Sequence, residues 1–167
     1  MEKLFLLDAY ALIYRAYYGF IKNPRINSRG ENTSAVLGFV NTLEEILHKE
    51  NPQYIGVAFD PHGPTFRHDA FPDYKAQREE TPEGIRFAVP IIKDILKAYR
   101  IPVLEAPGYE ADDVIGTLAK QSESIDGIDT YMMTPDKDYG QLVGKNVKIY
   151  KPRFDGGFDI IGEKEVI

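Results

Sequence analysis

The chain has 167 residues, 43% of them hydrophobic, enough to bury one substantial core and to make one domain. It has no cysteine, which excludes disulfides, zinc–thiolate sites and thiol catalysis and fits a cytoplasmic protein. A net charge of −6 and a pI near 5.1 argue against a nucleic-acid partner, unless bound cations neutralise the acids and the basic residues gather on one side.

The first element, "KLFLLD" (3 to 8), is an apolar run ending in Asp8, too short and wrongly flanked for a signal peptide or membrane span. It reads as a buried strand, and "AYALIYRAYYGF" after it reads as a helix. "TSAVLGFVNTLEEILHKE" (33 to 50) predicts a helix capped by Thr33 or Ser34, with Val36, Phe39, Val40, Leu43, Ile46 and Leu47 on one face. "YIGVAFD" (54 to 60) is a second buried strand that again ends in aspartate. The polar, proline-containing stretch from 61 to 83 is too long for a plain connection in a compact domain and is expected to be functional or mobile. "GIRFAVPIIKDILKAYR" (84 to 100) predicts a helix that Pro90 either kinks or begins. "IPVLEA", "DTYMMT" and "NVKIYK" are the third, fourth and fifth strands, with the helix "YEADDVIGTLAKQS" between the third and fourth. Alternation of this kind predicts an α/β fold with a mostly parallel central sheet and helices on both faces, whose ligand site lies beyond the carboxyl ends of the strands.

The acids fall at that edge. Asp8 closes the first strand and Asp60 the second, Glu110, Asp112 and Asp113 open the helix after the third, and Asp136 and Asp138 follow the fourth. A lone strand-end aspartate ordinarily caps a turn or helix. Seven carboxylates at one edge repel one another unless a cation or a shared proton relieves them, so the set points to a divalent metal site. Oxygen donors without histidine or cysteine suit magnesium or manganese. Two such ions about 4 Å apart can generate hydroxide and stabilise both oxygens of an in-line phosphoryl displacement. None of the three histidines, His48, His62 and His68, has metal or triad spacing, and His48 is expected to be solvated.

The 61 to 83 stretch interleaves Arg67, Lys75 and Arg78 with Phe66, Phe71 and Tyr74. If Pro72 begins a short helix, Tyr74, Lys75 and Arg78 become neighbours on it, a mixture that grips and stacks on single-stranded nucleic acid. A solvated loop with its aromatics tucked onto the core is the alternative. Arg15, Lys137, Arg25 and Arg29 extend this surface or are ordinary exposed charges.

"LLDAYALIYRAYYGF", "VAFDPHGPTFRHDAFPDYKAQRE", "GYEADDVIGTLA" and "TPDKDYGQLV" resemble, in order and spacing, the N-terminal 5'-3' exonuclease domain of bacterial DNA polymerase I, of the flap endonuclease family and related to the PIN-like nucleases. The resemblance covers nearly the whole chain. It implies a structure-specific nuclease that removes RNA primers and displaced 5' flaps of DNA during replication and repair. It further implies that Asp8, Asp60, Glu110, Asp112, Asp113, Asp136 and Asp138 bind two Mg2+ ions, with Mn2+ able to substitute. Arg15, Tyr74, Lys75 and Arg78 would position the 5' end and the scissile phosphate, and Lys75 and Arg78 would stabilise the displaced oxygen. The 61 to 83 stretch would form the base and part of a helical arch. Residues 1–167 would be a fragment of a longer polypeptide lacking the helix-hairpin-helix region and the polymerase, which leaves the activity of the isolated chain open. Asp8-Ala9-Tyr10 departs from the glycine or small polar residues that follow this aspartate in many relatives, a change expected to alter packing beside the metal.

Two other classes share the acidic pattern. A PIN-like ribonuclease lacks a role for the arch-like stretch and for the double acid joined to "TPDKD". A receiver-type phospho-acceptor signalling domain needs only three acids and a lysine after the fifth strand, for which Lys151 is loosely placed.

Overall fold

The computed structural model describes residues 1–61, 81–134, 137–153 and 156–165, with the backbone alone at 137 and 138. Strands β1 (Glu2–Asp8), β2 (Tyr54–Ala58), β3 (Val103–Leu104), β4 (Ile128–Met133), β5 (Val147–Pro152) and β6 (Phe158–Ile161) form one sheet, in the order β3-β2-β1-β4-β5-β6. The first five are parallel and β6 returns antiparallel on β5. Side chains alternate across the central strands, so that Phe5, Leu7, Val57 and Met133 enter one core while Leu6, Ala58 and Met132 enter another. Helices α1 (Ala9–Gly19), α2 (Ser34–Glu50) and α3 (Glu83–Ala98) cover the first face. The second is covered by α4 (Ala111–Ser122) and a 3-10 helix (Lys137–Leu142). This is the α/β fold, with helices on both faces, that the pattern predicts. Among the described residues no helix is long and apolar enough to cross a membrane.

The apolar stripe of α2 is buried as read, through Phe39, Leu43 and Ile46, with Val36 and Leu47 half-buried beside them. Its cap differs. Thr33 occupies the cap position without a side-chain bond to the helix. Its hydroxyl instead donates to the Arg25 carbonyl at 3.0 Å, and Ser34 Oγ accepts from the Arg25 N–H at 2.8 Å. The two hydroxyls therefore pin the 20–32 loop and are not available to the helix. Pro90 does not begin α3, which runs from Glu83 through it. The ring is exposed, so the carbonyl it leaves without a helix donor lies towards solvent, while Ile85, Ala88, Ile92 and Leu96 hold the helix by burial.

Helices α1 and α2 approach closely enough that side-chain volume at their contact is limiting. A Cβ on Gly38 would stand 2.5 Å from Ala16 Cβ. Gly38→Ala is therefore expected to destabilise the domain by about 1–3 kcal/mol through overpacking, read as a lower melting temperature. An unchanged melting temperature would mean that the pair separates at no cost.

Candidate active site

The sheet order decides where a crevice can form. The β1-to-β2 and β2-to-β3 crossovers run over one face and the β3-to-β4 crossover over the other, so the order reverses between β1 and β4. The space beyond the carboxyl ends at such a reversal is the binding crevice of doubly wound sheets. Asp8 ends β1 and Asp60 lies two residues past β2. Glu110 precedes α4 and Asp112 and Asp113 sit in its first turn. Backbone 138 lies in the 3-10 helix after β4. Asp8, Asp60, Glu110, Asp112 and Asp113 thus gather at the ends of adjacent strands. Asp136, and the side chains of Lys137 and Asp138, lie outside the described residues.

Helix N-termini hold these acids, since their N–H groups lack partners within the helix and carry partial positive charge. Asp8 caps α1, its Oδ1 accepting from the Ala11 N–H at 3.3 Å. Gly108, at φ +83°, turns the chain out of β3 into α4. Asp113 Oδ2 then accepts from the Glu110 N–H at 2.9 Å within a capping box. Asp60 Oδ1 accepts from the Ala111 N–H at 2.7 Å, tying the end of β2 to the first turn of α4. Glu110 is only 5% exposed. Among the described residues no group of three or more His, Asp or Glu side chains could hold an ion by itself. The donor chemistry still fits a hard cation, being carboxylate oxygen throughout, and Asp60 Oδ2 accepts no hydrogen bond among the described residues.

Directly behind Asp60 lies a layered stack that sequence reading does not assign to function. Phe59 is fully buried, with the Tyr10 ring edge-on at 5.8 Å and Lys93 Nζ 4.9 Å from its ring centre. Lys93 pairs with Glu105 at 2.6 Å. Burial, followed by the Asp60 and Glu105 carboxylates, raises the Tyr10 phenol above its usual value and favours its neutral form. An aromatic two residues after a strand-end acid is the available signal, and in sequence it marks only a change of packing.

The basic residues divide. Arg15, on the exposed side of α1, donates to the Arg153 carbonyl at 2.7 Å, beside the end of β5. Arg25 stands over the Phe20 ring at 5.4 Å. His48 is exposed and pairs with Glu44 at 3.1 Å, as its polar position predicts. Arg67, Tyr74, Lys75 and Arg78, with His62, His68 and the rest of the expected arch, lie outside the described residues.

Strand order, helices on two faces and carboxylates placed beyond the ends of three adjacent strands define an open, doubly wound α/β domain with an acidic carboxyl edge. Residues 3–167 match the family described as the 5'-3' exonuclease, N-terminal resolvase-like domain, and the chain belongs to that family. It is 41% identical over 158 residues to a 5'-3' exonuclease of Aquifex aeolicus, covering 95% of this chain and 54% of that protein. A DNA polymerase I of Treponema pallidum is 43% identical over 154 residues, covering 92% of this chain and 15% of that protein. The chain therefore spans about half the length of the first relative and a small part of the second. In fold it is similar to T5 5'-exonuclease with bound zinc (TM-score 0.65, 19% identity, covering 90% of this chain and 55% of that one). It is also similar to human GEN1 in complex with Holliday junction DNA (TM-score 0.55, 14% identity, 98% and 39%).

Proposed function

We propose that this chain is the catalytic α/β part of a structure-specific 5'-3' exonuclease and flap endonuclease, hydrolysing phosphodiester bonds in DNA or RNA–DNA for primer removal and repair. The observation that carries the reading is the placement of Asp8, Asp60, Glu110, Asp112 and Asp113 along one carboxyl edge of the sheet, in a member of the 5'-3' exonuclease family. With Asp136 and Asp138 they would hold two Mg2+ ions, for which Mn2+ can substitute. When bound, such ions supply an ionised water and neutralise charge on the phosphate under attack. The rest of the work falls to the chain's own groups. Lys75 and Arg78 stabilise charge developing on the leaving oxygen, and Arg15, Arg67, Tyr74 and Lys137 orient the 5' strand.

The relatives support the choice of substrate and partner. One structure of similar fold is a T5 flap endonuclease complex with DNA and metal ions, and several relatives are DNA polymerases I. The partners proposed are DNA with a 5' flap or RNA primer and a polymerase region of the same polypeptide. A receiver-type reading gains nothing, because Lys151 lies within β5 opposite Asp159 and not beyond the strand.

Binding tests the substrate class. A 5'-flap duplex titrated in EDTA should bind with an affinity that falls steeply as salt rises, despite the negative net charge, because lysine and arginine displace counterions from phosphate. A flat salt response would contradict the basic surface, and an absence of binding would contradict the proposed substrate.

A further inference from the structure

We infer that Tyr10 contacts substrate, its hydroxyl donating a hydrogen bond to a phosphate oxygen of the strand held at the carboxyl edge; this rests on the nuclease reading above. The placement comes from the backbone. Tyr10 lies in the first turn of α1, two residues after Asp8, and its ring packs edge-on against Phe59, the residue before Asp60. It therefore bridges the ends of β1 and β2, the two strands whose terminal acids are Asp8 and Asp60.

The ring is held and its tip is not. Phe59 is fully buried and is flanked by Tyr10 and by the Lys93 ammonium, so the Tyr10 ring rests on a fixed surface, itself half-buried. Its hydroxyl makes no hydrogen bond among the described residues. Among the described residues the cation on the Phe59 ring, Lys93, is paired with Glu105. A neutral donor has a particular use at such an edge. It can approach a phosphate without competing as a cation for the carboxylates, and its ring is ordered before substrate arrives.

Tyr10→Phe tests this by removing one oxygen while keeping the ring on Phe59. Affinity for the 5'-flap duplex in EDTA is expected to fall roughly ten-fold or more, as for loss of a hydrogen bond to a charged acceptor, with kcat/KM in Mn2+ falling in parallel and the melting temperature unchanged. Single methylphosphonate linkages scanned across the junction should weaken binding at one position in the wild type that no longer matters in Tyr10→Phe. Unchanged affinity, or an identical methylphosphonate profile, would overturn the inference while leaving the nuclease reading standing. A lowered melting temperature with the weaker binding would show the hydroxyl to be structural and overturn it too. Failure of the wild type to bind flap DNA would overturn both.

Discussion

Asp112→Asn combined with Asp113→Asn is expected to reduce metal-dependent cleavage by roughly three orders of magnitude or more without unfolding the domain. The loss follows from the chemistry of the edge, because a neutral amide neither neutralises a divalent ion nor replaces the charge that holds it. Retention of the fold follows from geometry. Asp113 Oδ2 serves α4 by accepting from the Glu110 N–H, and an asparagine oxygen can accept the same bond. Two favourable charge–dipole interactions disappear, worth about 0.3–1 kcal/mol each, and so does repulsion among neighbouring carboxylates. The opposing changes should leave stability within about 1 kcal/mol of the wild type. Melting by circular dichroism, run beside the cleavage assay, separates the two effects. Unchanged turnover in a folded double variant would remove these acids from the mechanism.

Lys75→Ala and Arg78→Ala should each lower kcat by about 10²–10³-fold while weakening flap binding by much less, the signature of groups that act on charge appearing in the transition state. Single-turnover rates and binding constants measured in parallel distinguish the cases. If both variants lose affinity and keep their single-turnover rate, the 61 to 83 stretch grips substrate and takes no part in the chemical step.

What the residues disclose depends on how local the deciding force is. The α2 stripe was legible because burial of Phe39, Leu43 and Ile46 repeats with the helical period. The acidic edge was legible because parallel strands put every carboxyl end on the same side. Tertiary competition hid the rest. Thr33 and Ser34 look like caps, yet their hydroxyls bond Arg25 across the preceding loop. The expected third strand "IPVLEA" shrinks to Val103–Leu104, for Pro102 has no N–H to offer and Glu105 turns to Lys93. Strand β6 went unread because its four residues show no alternation that marks a strand and take their register from the antiparallel return on β5. Tyr10 was hidden for a similar reason. Its ring partner Phe59 lies far away in sequence, so its position beside Asp60 appears only when α1 is packed against the end of β2.

Carboxylates from four neighbouring segments are proposed to act as one metal-dependent nuclease site. The most direct test is cleavage of a 5'-labelled flap duplex by this chain in Mn2+ or Mg2+, run against EDTA and against the Asp112/Asp113 double variant. Release of the labelled flap by the wild type with metal is expected, and no release in either control. Release that persists in EDTA or in the double variant, or intact substrate under every condition both with this chain and with one extended to the length of its Aquifex aeolicus relative, would overturn that assignment.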